Sequence, residues 1–131
     1  MPLLTREQIL EAPDITTEVV EVPEWGGEVK VKAMTGSERD AFEAMLIKGK
    51  GKDTTVNMQN VRAKLVAHTV VNGDNKRMFT DQDITALGQK SAAALDRVFA
   101  VSQRLSRIKD EDVEELAKNL LEGPSDGSGS N

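Results

Sequence analysis

From Ile15 to Met34 the chain reads ITTEVVEVPEWGGEVKVKAM. Thr and Val dominate up to Val22, and beyond the turn Val29, Val31 and Ala33 alternate with Glu28, Lys30 and Lys32. Period-two patterning on both sides of a Pro/Gly-rich turn predicts a β-hairpin over residues 15–34. A lone two-stranded hairpin is barely stable in water. The rest of the chain, or another subunit, must therefore cover it. Glu18 and Glu21 are expected to face Lys30 and Lys32 across the strands, in pairs worth ~0.2–1 kcal/mol each. Trp25, the single tryptophan, falls at the bend beside Gly26 and Gly27. Its amphipathic ring suits packing on the protein's own helices, or contact with a neighbouring subunit or partner.

The remaining pattern is helical. In LLTREQILEAPD, Thr5 and Gln8 have capping-box spacing, and Ala12-Pro13-Asp14 stops the turn. After the hairpin, Thr35 or Ser37 can cap a helix whose Phe42, Met45 and Leu46 share a face. KGKGK ends it as a basic loop. TVNMQNVRAKLVAHTVV predicts a second helix, apolar around much of its circumference and so central. Asn72-Gly73-Asp74 marks a turn. Thr80 with Asp83 starts a short helix ending near Gly88, and Ser91 caps a long one through SAAALDRVFAVSQRLSRI, on which Leu95, Val98, Phe99 and Leu105 share a face. DEDVEELAKNLLEG is amphipathic: Val113, Leu116, Ala117, Leu120 and Leu121 fall at i, i+3, i+4, i+7 and i+8. The fold class is therefore α+β: an N-terminal hairpin followed by a bundle of about four helices, with the helical body at residues 36–121. Residues 1–122 form one domain, and the Gly/Ser-rich residues 123–131 form a flexible tail.

Composition narrows the chemistry. A net charge of −5 opposes nucleic acid and anionic membranes as main partners. The chain has no cysteine, so thiolate metal sites, disulfides and cysteine nucleophiles are excluded. The N-terminus MPLLTREQIL lacks a signal-peptide layout, and no apolar run reaches spanning length; a cytoplasmic protein is the expectation. His68 is the one histidine; with no nucleophile elbow nearby it reads as a boundary residue on its helix. GKGKD lacks the phosphate-loop frame. DEDVEE reads as a solvated acidic face and not a cation loop. The bend at Gly88 has helix-turn-helix character, but the following helix carries only Arg97 and Arg104 besides Lys90. No catalytic residue, cofactor or metal is expected. Interaction surface remains: Trp25 at the bend and the stripe Val113, Leu116, Leu120 and Leu121. Only three Phe and one Trp supply large aromatic surface, and self-association is one way to supplement so thin a core.

The order of segments, VPEWGGEVKV joined to TGSERDAFE and then NGDNKRMFTDQDITALGQKSAAALDRVF, resembles the tail assembly chaperones encoded by long-tailed bacteriophages and prophages. The resemblance runs from Leu4 to Leu121 and is least typical over Lys48–Val56. It implies a nonenzymatic protein of the bacterial host cytoplasm. Such a protein binds the tape-measure protein, keeps it soluble, helps recruit tail-tube subunits and is absent from the virion. It also implies a longer form made by ribosomal frameshifting, which the Gly/Ser-rich ending suits. A structural tail or head–tail component retained in the particle, and an acidic helix-turn-helix regulator, are the alternatives.

Overall fold

The structure, a computed structural model, describes residues 2–48, 55–56 and 59–108, and the statements below concern these. The elements run α1 (Arg6–Glu11), β1 (Thr17–Val22), β2 (Gly27–Lys32), α2 (Gly36–Met45), β3 (Ile47–Lys48), β4 (Thr55–Val56), α3 (Val61–Thr69), β5 (Val70–Val71), α4 (Ile84–Gly88) and α5 (Ala92–Ser106). This is the expected α+β order, a small antiparallel sheet followed by helices. The expected last helix and the tail, with their boundary at residue 122, lie outside the described residues.

The hairpin forms as its pattern demands. β1 and β2 pair antiparallel, with Val20 opposite Val29 and Val22 opposite Gly27. The turn is a short 3-10 segment, Pro23–Trp25, closed by Gly26 at φ 74°, a left-handed conformation that glycine adopts without a Cβ clash. The register corrects the expected charge pairs. Glu18 lies opposite Val31, and Glu21 opposite Glu28. Thr17 and Val19, not the glutamates, oppose Lys32 and Lys30. Side chains alternate across a strand, so Glu18 shares the inward face with Val20 and Val22, while Glu21 stands outward with the lysines.

β5 corrects a second expectation. The second helix was predicted to continue through Val71, but it ends at Thr69, and Val70 and Val71 pair with Val31 and Lys30 of β2. The sheet order is thus β1-β2-β5. Two β-branched residues at a helix end gain more as a strand that caps a valine face than as a last helical turn. The Asn72–Asn75 turn then reverses the chain, and the Met78 N–H donates to the Val70 carbonyl at 3.1 Å.

α3 is the central helix, buried from Ala63 to Thr69. Its Ala63, Val66 and Ala67 join Val22, Val31, Val70, Ile84, Leu87, Leu95 and Val98 in the main core. Its opposite face supplies Leu65 to a second cluster with Met34, Phe42, Leu46 and Ile108. Where α4 ends beside the start of α3, Gly88 leaves room for the Asn60 side chain: a Cβ there would stand 2.6 Å from Asn60 Oδ1. Between α3 and α5 the buried hydroxyls of Thr69 and Ser102 lie 2.8 Å apart. Thr69 also reaches the Leu65 carbonyl at 2.8 Å, and Ser102 the Val98 carbonyl at 2.9 Å. Two hydroxyl protons fill two of these three contacts at a time, and each hydroxyl keeps at least one partner, whose loss burial would penalise. At the open end of the hairpin, the Met34 N–H donates to Ser106 Oγ at 3.1 Å, tying β2 to the end of α5.

α2 begins with a capping box. The Glu38 N–H donates to Thr35 Oγ1, and the Thr35 N–H to Glu38 Oε1 at 2.8 Å. Partial burial pushes the Glu38 carboxyl up. The Thr35 backbone N–H and Lys32 Nζ, 3.4 Å away, outweigh that and hold it below its ordinary value of 4.5. A carboxyl bound more tightly as its anion in the fold adds stability that is complete above the unfolded value. It is lost as pH falls through the folded one. Glu38→Gln should therefore flatten the acid side of the stability–pH curve measured by urea unfolding and leave the alkaline side parallel to wild type.

α1 stands apart. No residue of it is buried, and it makes no substantial contact with another element. Its one support is the capping box, with the Gln8 N–H on Thr5 Oγ1 at 3.2 Å and the Thr5 N–H on Gln8 Oε1 at 2.9 Å. Two leucine truncations separate body from arm. Leu65→Ala, at a fully buried site, is expected to lower unfolding free energy by ~2–5 kcal/mol, and Leu10→Ala by less than ~0.5 kcal/mol. Equilibrium denaturation measures both.

Candidate interaction surface

Two glutamates of the hairpin are clipped by two arginines of α5. Glu24, at the turn, takes Arg97 Nε at 3.0 and 3.1 Å on its two carboxylate oxygens. Glu18, at the open end, takes Arg104 at 2.6 Å. Arg97 and Arg104 are seven residues apart, two turns of helix and ~10 Å of rise, so α5 lies along the hairpin and meets both ends. A hydrogen bond from its own backbone and the Arg97 contact hold Glu24 below its ordinary value, against partial desolvation. The hydrogen bond and charge of Glu18 raise Arg104. Of the three cations singled out for a helix-turn-helix, Lys90, Arg97 and Arg104, these two arginines are engaged by hairpin carboxylates.

Trp25 is half-buried, and its ring packs on the main core beside Val20 and Val29. The 3-10 turn that carries it touches α5. One side of the ring thus serves the protein's own core. The other named contact residues, Val113, Leu116, Leu120 and Leu121, lie outside the described residues.

A group the sequence did not single out is the apolar arm. Leu3 is 97% exposed and Leu10 66%, with Leu4 and Ile9 similarly open; Ile15 and Val19 continue the exposed apolar run into β1. In sequence the arm reads as a short capped helix and Ile15 and Val19 as strand, and nothing local shows that they stay exposed. β1 is also an edge strand, since the sheet order leaves its outer side unpaired among the described strands.

His68 lies deeper than its predicted edge position, 5% exposed. Its Nδ1 lies 2.8 Å from the Lys64 carbonyl, to which it can only donate, and its ring meets Phe42 edge-on with centroids 5.9 Å apart. Both contacts are structural. Among the described residues no cluster of His, Asp and Glu is arranged to hold a metal, and no helix is long and apolar enough to cross a membrane.

Trp25→Ala should destabilise the fold, by less than the ~3–5 kcal/mol of a fully buried aromatic, because the residue is only partly buried. Since Trp25 is the sole tryptophan, its emission follows the same transition without labelling. A variant as stable as wild type would place the ring's weight outside this core.

Comparison with known proteins adds one match. The model of a family described as phage tail assembly chaperone matches residues 6–119. A search of curated proteins and a search of solved structures each found no match. The matched stretch takes in α1, the hairpin, the turn that carries Trp25 and all of α5, far more than half of the sequence. This chain belongs to the phage tail assembly chaperone family.

Proposed function

We propose that this protein binds the tape-measure protein of its phage, keeps that long helical chain soluble and helps bring tail-tube subunits to it. Membership of a chaperone family implies a nonenzymatic role in tail assembly. The observation that carries the finer reading is the uncovered apolar arm, Leu3, Leu4, Ile9 and Leu10, on a chain of net charge −5. Apolar side chains held in water can receive a helical client, while the net charge keeps the chaperone itself dissolved. Trp25 and the stripe Val113, Leu116, Leu120 and Leu121 extend this contact surface in the proposal. The protein acts in the host cytoplasm and leaves before the virion is complete. A longer, frameshifted form carries the contact to the tail tube.

Co-expression with the tape-measure protein, affinity capture and light scattering after size exclusion test partner and stoichiometry together. The expected result is a soluble complex, with tape-measure protein insoluble when expressed alone. Leu116→Asp combined with Leu120→Asp should abolish capture while far-ultraviolet circular dichroism stays close to wild type. Loss of the helical signal would instead make the stripe part of the core. Protein found in purified virions would overturn the assembly-only role.

A further inference from the structure

The outer side of β1 carries a row of backbone groups with a fixed direction. The Ala33 N–H donates to the Thr16 carbonyl at 2.9 Å, so Thr16 and Ala33 are a hydrogen-bonded pair of the antiparallel ladder. Such pairs alternate with open ones, and the register makes Glu18–Val31, Val20–Val29 and Val22–Gly27 the others. Thr17, Val19 and Glu21 stand between them and turn their N–H and C=O groups to the outer edge. No other described element takes these groups.

Soluble proteins blunt such an edge with proline, a bulge or lysine. β1 has none of these: it reads TEVVEV and meets β2 residue for residue along its whole length. The side chain at its centre is apolar as well, Val19 being 56% exposed. An edge of this kind is built to take another strand. Self-pairing suits this one. With two copies antiparallel about a twofold axis at Val19, Val19 meets Val19 and Thr17 meets Glu21, so every outward residue finds a partner and Glu21 does not face itself. In the same register Ile15, 38% exposed, comes opposite Pro23, which has no N–H to carry the ladder further. The smallest slide that keeps the ladder sets Glu21 against Val19 or Ile15 instead. Charge agrees. Within one chain Glu21 stands opposite Glu28, a like-charged pair, and Thr17 opposite Lys32. Between copies the row on one face runs Lys32, Thr17, then Glu21 of the second copy. A strand spacing of ~4.8 Å brings that lysine and glutamate within reach of each other over the short threonine.

We propose that β1 pairs antiparallel with β1 of a second copy of this chain, joining the two sheets into one continuous sheet across a twofold axis at Val19. The pairing uses none of Leu3, Leu4, Ile9 and Leu10, so it stands apart from the client contact proposed above.

Light scattering after size exclusion of the full-length chain should show a dimer that dissociates on dilution. Val19→Pro removes the central outward N–H and no bond to β2. It should weaken the dimer at least ~30-fold, because the twofold axis doubles the loss and leaves two carbonyls unpaired. Val19→Lys keeps that N–H and sets two lysines against each other beside Lys30. It should weaken the dimer at least ~5-fold, with urea unfolding of the monomer near wild type, and it decides the matter if the proline variant fails to fold. Because the chain has no cysteine, Val19→Cys offers one thiol per copy, on the axis. A short bismaleimide should join it between chains at least ~5-fold faster than Glu28→Cys, which the register sets far from its counterpart. A monomer at every concentration overturns the proposal, whether the edge is then bare or taken by a different strand. So does a dimer that Val19→Lys leaves intact, or a cross-link no faster than the control's.

Discussion

The valine face of the hairpin sets the terms for the rest of the molecule. Val20 and Val22 on β1 and Val29 and Val31 on β2 point to one side, where water contact is unfavourable and two strands alone cannot exclude it. Three elements answer this need. α5 runs along the face, α3 packs behind it, and Val70–Val71 lengthens the sheet by a strand. The ion pairs Glu24–Arg97 and Glu18–Arg104 fix the direction of α5 relative to the strands more than they stabilise it, since both are largely in water.

The same geometry separates a closed body from an open edge. Among the described strands the sheet runs from β5, whose Val71 bridges to Arg77, to β1, whose outer edge is unpaired. The arm that precedes β1 carries Leu3, Leu4, Ile9 and Leu10 into solvent, the last two on the short capped helix α1. Helices of this length are marginal without tertiary support. The exposed arm beside the unpaired edge of β1 is what the proposed client contact rests on, and its helix α1 falls within the stretch matched by the family of phage tail assembly chaperones.

Several features were readable because they are local. The capping boxes at Thr5, Thr35 and Thr80 and the cap at Ser91 depend on residues three apart, and all four form. The hairpin and its turn follow from alternation and from Gly26. Other features were not readable. Nothing near Val70 and Val71 tells them to leave a helix, because their reward is the edge of β2, some forty residues earlier in the sequence. The partner of Glu18 was misassigned for the same reason. Its alternatives, a lysine across the strand or Arg104 on a distant helix, differ only once the register and the helix direction are set. The apolar arm was legible as a helix but not as an exposed one.

Sequence alone determined the elements: a hairpin at residues 15–34, capped helix starts, an acidic chain without thiols and a segment order shared with one family. These rest on interactions within a few residues and on composition. Tertiary structure decided what faces what. It drew Val70–Val71 into the sheet, sank His68 against Phe42, laid Trp25 on the core, and left Leu3, Leu4, Ile9 and Leu10 exposed. Burial is a property of surfaces brought together from distant parts of the chain. A local pattern can show which side chains need cover, but only the packed molecule shows which of them receive it.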